Sequence, residues 1–322
     1  MTAIPTESLI TVFGGSGFLG RHVVRALAKR GYRIRVAVRR PDLAFHLQPA
    51  GRVGQIHAVQ ANLRHPGSVD AAVRDADAVV NLVGILFERG RQRFDAVQAF
   101  GAEACALSAV AHGARLVHVS AIGADEQSPS HYARSKAMGE KLVHAAVPGA
   151  TILRPSIMFG PEDSFFNRFA AIARLAPALP LVGGGHTRFQ PVFVGDVAAA
   201  VVAAIEGRGT LGATYELGGP AVRSFKELMQ YLLATIERRR LLLPIPFGLA
   251  KLQAFFLQYL PTPLLTPDQV ELLRHDNVVS EEAKRERRTL EGLGITPALM
   301  EAIVPSYLQR FRKTGQFRVR SI

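Results

Sequence analysis

The 322-residue sequence predicts an α/β fold, a parallel sheet wound with helices on both faces. Three observations carry this. Short apolar runs alternate with helical stretches through the first half of the chain. A glycine-rich turn joins the first such run to the first helix. The strand segments read as nearly continuous Val/Ile/Leu/Ala, as strands buried on both faces must. At 48% hydrophobic and 20% charged residues the composition is that of a folded chain, and one large or two unequal domains is the expectation for its length.

Leu9–Phe13 reads as a buried strand, and 17–30 as a helix closed by Gly31 at its C-terminal cap. Further strands are expected at 33–38, 55–60, 78–83 and 116–120, each followed by a turn and a helical stretch. A helix from Tyr132 to Ala146 leads into a strand at 151–153. After Pro155 the regularity breaks. A helix is expected over 165–175, a loop over 181–185, an Ala/Val-rich helix over 194–205 and a short strand over 214–217. Ser224 and Glu227 form a capping box opening a helix to Arg238. This divides the chain into a dinucleotide-binding domain at 1–155, its sheet completed near 190–220, and a smaller interleaved substrate or interaction region at 156–322.

The lone Cys105 excludes a disulfide framework and any cysteine-built metal centre, and the ten histidines show no ligand spacing. No run is long and apolar enough to span a bilayer, and Met1–Ser8 is too short for a leader, so a cytoplasmic chain is expected. Residues 241–265 are apolar but broken by Lys251, Gln253, Gln258 and prolines. They either cover a substrate cleft or lie on a membrane or partner. The net charge is +13, and seven of the 39 basic residues are lysines. A solvated basic surface accounts for this, and so does an anionic membrane face or an acidic partner subunit. Without a helix-turn-helix, zinc finger or aromatic RNA-binding motif, nucleic acid is not an expected partner. The stretch 281–322 holds nine basic and five acidic residues and reads either as solvated helix ends or as a basic strip.

Gly14-Gly-Ser16-Gly17-Phe18-Leu19-Gly20 follows a strand and opens a helix, the setting in which a dinucleotide pyrophosphate is bound. Gly14 makes the turn, Gly17 admits the phosphates, and Gly20 lets helix and strand approach. Where an acid would hold the ribose hydroxyl of NAD, the second strand ends in Arg39-Arg40, and no acid occurs between Glu7 and Asp42. A guanidinium there pairs with a 2′-phosphate, so NADP(H) is expected over NAD(H). Asn62-Leu63 after the third strand meets the adenine edge, and Val83-Gly84 after the fourth gives the cofactor passage. Tyr132 and Lys136 share a helix face at i and i+4, and Ser120 ends a strand twelve residues upstream. An ammonium favours phenolate, so Tyr132 is the expected general acid/base. Lys136 tunes it and binds ribose, and Ser120 orients a carbonyl.

These motifs, with Arg154-Pro-Ser-Ile-Met-Phe-Gly160 and Pro191-Val-Phe-Val-Gly-Asp196-Val, resemble an extended or atypical short-chain dehydrogenase/reductase over about residues 8–240. The resemblance implies a Rossmann sheet and places Pro155 and Ser156 beside the nicotinamide. Gln98 stands where the family carries an asparagine. Phe159-Gly-Pro-Glu-Asp-Ser-Phe-Phe-Asn-Arg-Phe169, Leu264-Leu-Thr-Pro-Asp-Gln-Val-Glu-Leu-Leu273 and Asp276-Asn-Val-Val279 resemble the nucleotide-binding accessory subunit of respiratory complex I and its bacterial relatives. That narrower resemblance implies a tightly held NADPH, a place on the peripheral arm near the membrane, complex I subunits as partners, and a role in assembly. Mitochondrial members do not reliably keep the tyrosine–lysine pair, which this chain keeps. Three readings follow. The first is a scaffold holding NADP(H) at the cytoplasmic membrane face. The second is a working NADPH-dependent reductase, dehydrogenase or epimerase on a quinone-pathway or other hydrophobic carbonyl. The third is a nucleotide-sensing regulator.

Overall fold

The computed structural model describes residues 5–260, 263–315 and 317. In chain order the first half runs β1 (Leu9–Phe13), α1 (Phe18–Lys29), β2 (Arg33–Val38), β3 (Ile56–Gln60), α2 (Pro66–Val73), β4 (Ala78–Asn81), α3 (Phe100–Ala111), β5 (Arg115–Val119), α4 (His131–Ala146) and β6 (Thr151–Pro155). Then follow β7 (Met158–Phe159), α5 (Phe166–Leu175), β8 (Ala178–Val182), β9 (Arg188–Phe189), β10 (Val192–Phe193), α6 (Val194–Ile205), β11 (Thr214–Leu217) and β12 (Arg223–Ser224). The remainder is α7 (Phe225–Thr235), β13 (Leu241–Ile245), α8 (Phe247–Leu257), α9 (Pro267–Leu272), α10 (Glu281–Arg285) and α11 (Met300–Leu308).

The chain divides into two units. The first comprises residues 1–155, 194–217 and 280–296. Its sheet has seven parallel strands in the order β11-β6-β5-β4-β1-β2-β3. The order reverses between β1 and β4, where an open α/β sheet leaves a crevice at the carboxyl ends of its strands. Central strands are buried on both faces, as Ile10, Val12, Val79 and Val80 illustrate. The doubly wound sheet expected from the sequence is therefore present. Strand β4 stops at Asn81, short of the expected Val83, because the Asn81 side-chain oxygen accepts the Val83 amide at 3.1 Å and turns the chain.

Segment 280–296 covers the edge strand. Glu216 N donates to Arg288 O at 2.9 Å, and Arg288 Nη1 donates to Thr214 O at 2.8 Å. Within the basic run read either as solvated helix ends or as a basic strip, Arg288 pairs with Glu282 and Glu286, and Lys284 with Glu281. Of the basic residues beyond, Arg310 donates to Asn167 and Arg312 to Thr235, while Arg318 and Arg320 lie outside the described residues, as do Met1–Ile4.

The second unit comprises 156–193, 218–279 and 297–322. Helices α5, α7 and α11 enclose a core built around Phe159, Phe166, Phe189 and Phe225, with ring contacts at 5.1–6.5 Å among its phenylalanines. The expected loop over 181–185 begins as the end of β8, because Leu181 and Val182 pair in parallel with Pro244 and Ile245 of β13. Only Gly183–Gly185 turn away, all three with φ between 60° and 76°. The helix opened by Ser224 ends at Thr235, ahead of the expected Arg238, and α8 ends at Leu257. Among the described residues, no helix is long and apolar enough to cross a membrane, and no group of three His, Cys, Asp or Glu is placed to hold a metal.

Candidate functional site

The glycine turn between β1 and α1 is held by its own backbone. Gly14, at φ 77°, donates to Ala37 O at 3.2 Å, and Gly17 N donates to Gly14 O at 3.0 Å. A Cβ on Gly20 would lie 2.3 Å from Gly14 O and 2.6 Å from two Gly15 backbone atoms, a distance no side chain survives. The glycine lets α1 descend onto the turn. No side chain caps the N-terminus of α1 and no acid lies in its first turn, so the amides over Phe18 and Leu19 stay available to an anion. Ser16 contributes its carbonyl to Arg21 Nε at 3.2 Å, which steadies the loop.

At the end of β2 both arginines are exposed, but they differ. Arg40 is bound bidentately by Asp42, with Nη2 to Oδ2 at 2.7 Å, a pairing that holds the Asp42 carboxyl below its ordinary value. Arg39 makes no such pair among the described residues. The two are equivalent in the sequence, but the structure singles out Arg39 as the uncommitted guanidinium. Asn62 Oδ1 accepts the Arg64 amide, a local turn that leaves its amide nitrogen for a ligand. Leu63 is buried against Gly101, so its side chain is a packing element. Val83 lies over Gly14, where a Cβ would meet Val83 Cγ2 at 3.1 Å. Gly84 is exposed, and a Cβ there would stand 3.4 Å from Lys136 Nζ and 3.5 Å from Gln98 Oε1.

Those two atoms lead into the buried polar centre. Residues Asp95–Ala99 form a widened helical turn in which the Phe100 amide reaches back to Asp95 O, a one-residue bulge of the kind often found at functional sites. It delivers Gln98, 1% exposed, against α4, where a Cβ on Gly139 would strike Gln98 O at 2.2 Å. Gln98 Nε2 donates to Ser135 Oγ at 2.9 Å, and Ser135 in turn donates to Tyr132 O at 2.8 Å. That chain fixes the orientation of the amide and leaves Gln98 Oε1 buried with no partner. Ser120, one residue beyond β5, is 4% exposed and its Oγ is likewise unpartnered. Lys136 Nζ donates to Val119 O at 3.3 Å, one residue from Ser120. Burial pulls the Lys136 ammonium down to about 8, partly opposed by Glu140. Tyr132 is half-buried on the first turn of α4, edge-on to Phe94 with ring centroids 5.8 Å apart. His118, two residues before Ser120, accepts from Asn81 at 3.2 Å and is pushed down to about 3, first by burial and then by Lys136 and His144.

Ser120, Lys136, Gln98 and Gly84 thus converge within unit 1, with Tyr132 tied to them through Ser135. Pro155 closes β6 in the same unit and accepts the Ile122 amide. Ser156, the other residue that the resemblance puts beside the nicotinamide, is the next in sequence. It lies in the second unit with its hydroxyl 2.7 Å from Asn277 Oδ1 and 2.9 Å from Asn277 O. Phe94 and Ser135 escape notice in the sequence because nothing marks a widened turn in Asp-Ala-Val-Gln-Ala. An uncapped helix over a glycine cradle and two orphaned buried polar atoms beside a lysine fit a nicotinamide dinucleotide. They offer places for pyrophosphate at one end and a polar ring or ribose at the other.

The family model described as the NAD dependent epimerase/dehydratase family matches residues 10–218. The chain is 38% identical over 318 residues to a mitochondrial protein of Arabidopsis thaliana named NADH dehydrogenase [ubiquinone] 1 alpha subcomplex subunit 9, spanning 95% of this chain and 78% of that one. It is 37% identical over 201 residues to the ceramide reductase of Caulobacter vibrioides, 62% of each chain. A dTDP-glucose 4,6-dehydratase of Streptomyces venezuelae superposes with TM-score 0.70 at 21% identity, covering 94% of this chain and 96% of that one, a likeness of fold.

Proposed function

The chain belongs to the NAD dependent epimerase/dehydratase family, and from that premise we propose that it holds NADP(H) as a structural element of a respiratory complex I accessory subunit at the cytoplasmic face of the inner membrane. The observation that carries this reading is similarity along 95% of the chain to a protein named as a subunit of that complex, at 38% identity. Such extent covers the second unit as well as the nucleotide domain. Native-gel migration of gently solubilised host membranes tests it. The chain is expected in the complex I band, and a chain found only in the soluble fraction would overturn the reading.

The phosphate preference rests on Arg39. Because Asp42 already occupies Arg40, Arg39→Asp is expected to cost more than about tenfold in NADPH affinity and leave NADH binding within a fewfold. Titration of nucleotide fluorescence measures both, and equal losses would sink the assignment.

One observation favours chemistry as a second reading: the buried Ser120 hydroxyl without a partner, beside Lys136. When bound, the nicotinamide supplies a hydride. Ser120 Oγ then orients a carbonyl oxygen and Tyr132 gives it a proton, with Lys136 holding the phenol toward its ionised form. Tyr132→Phe separates the two readings. On the scaffold reading, nucleotide content and complex I assembly in cells are unchanged. A lost phenotype in a folded, nucleotide-bound variant would establish chemistry.

A further inference from the structure

Helix α8 is built inside out. Its small residues Ala250 and Ala254, four apart, are fully buried with Val182 and Val270, while its large ones face solvent: Leu249, Leu252, Phe255 and Phe256 are 49–66% exposed. Tyr259 and Leu260, just beyond the helix, and Leu241 and Leu243 on β13 are exposed as well, all within the second unit. A helix that turns Leu and Phe outward and Ala inward presents apolar side chains to solvent, the mark of an interaction surface.

Charge says what covers it. Residues 238–267 contain no acid and four basic residues, Arg238, Arg239, Arg240 and Lys251. The packed helix α9 brings Asp268 and Glu271, but Glu271 sits between Lys251 at 3.6 Å and Arg274 at 3.2 Å, and the Arg274 guanidinium stacks on Phe247. Here the centre is Leu and Phe, cations stand at the rim, and a tyrosine lies at one end, the composition of a helix lying in a bilayer interface. Eleven residues span about 16 Å, far short of a hydrocarbon core, so α8 lies flat.

We propose that this face seats an anionic phospholipid surface, with Leu252, Phe255 and Phe256 entering the acyl boundary and Arg239 and Lys251 meeting headgroups. The inference deepens the peripheral-membrane location proposed above and rests on it only for place.

The test is sedimentation of the full chain with vesicles of phosphatidylcholine, with and without phosphatidylglycerol. Binding is expected to the mixed vesicles, falling more than about tenfold in a Leu252→Glu, Phe256→Glu double variant and fewfold at raised salt or in Lys251→Glu. All three residues are exposed, so the variants fold, as circular dichroism will report. No affinity for either vesicle, or equal binding by the double variant, would overturn the proposal. So would a solution dimer dissolved by the same double change, since a second copy then covers the face. A chain that migrates with complex I yet ignores vesicles seats protein there, and only the lipid inference falls. A chain that binds vesicles but never joins complex I keeps the lipid inference and loses its place in the complex.

Discussion

Gly20→Ala is expected to abolish nucleotide binding, with at least about a hundredfold loss of affinity, and to destabilise the first unit by about 3 kcal/mol. The added methyl would sit 2.3 Å from Gly14 O and 2.6 Å from Gly15 backbone atoms. None of these is a flexible side-chain end that could swing away. Helix α1 must lift from the turn, and the amides over Phe18 and Leu19 leave the place where a pyrophosphate would meet them. The chain supplies its own control. Gly67, also helical, has no atom within 4 Å of its Cβ position, and Gly67→Ala should leave binding intact and add up to about 1 kcal/mol through helix propensity. Calorimetric titration and urea unfolding of both variants decide the matter. A Gly20→Ala protein that binds normally would show that the cradle is not where the nucleotide sits.

Lys136→Met is expected to do the opposite to stability. The wild-type ammonium is buried, and its folded value near 8 lies below the 10.5 of the unfolded chain. Between those values the unfolded chain holds more protons, so wild-type stability rises with pH across that window. Below pH 8 both states are charged and the folded state bears the whole desolvation cost, on the order of 3 kcal/mol. A methionine of similar length removes that cost, and the stabilised variant should gain about 1–3 kcal/mol at pH 7. The gap should narrow toward pH 10 as the wild-type lysine loses its proton. Nucleotide affinity moves the other way and falls. Urea unfolding at pH 7 and pH 9.5 reads the first effect, and titration of nucleotide the second. A variant less stable than wild type at pH 7, or a gap that ignores pH, would mean that the Val119 carbonyl bond outweighs the buried charge.

The sheet was legible because its signal is local. β1 and β4 are short apolar runs, α6 is nearly continuous Ala and Val, and Gly14 to Gly20 carries its geometry in its spacing. What depended on a distant partner was not legible. Nothing near Leu181 announces that the strand ending at Ile245, more than sixty residues on, will extend it as a sheet. The engagement of Arg40 by Asp42 decides which of two adjacent arginines is available, and Ser156 is claimed by Asn277 from 121 residues away. Gln98 was visible as a departure from an asparagine. Its bulge, its link to Ser135 and its orphaned oxygen required coordinates, because a widened turn costs little and has no residue code of its own.

The closure of β11 by Arg288 has a consequence for how the chain is made. The seventh strand leaves the ribosome at Leu217, but the segment that covers its outer edge follows about seventy residues later, after the 218–279 portion of the second unit. Until then the nascent sheet ends in a bare strand able to template another chain. The first unit finishes late despite starting first, and a chain that stops between Gly218 and Val279 lacks the segment that covers this border.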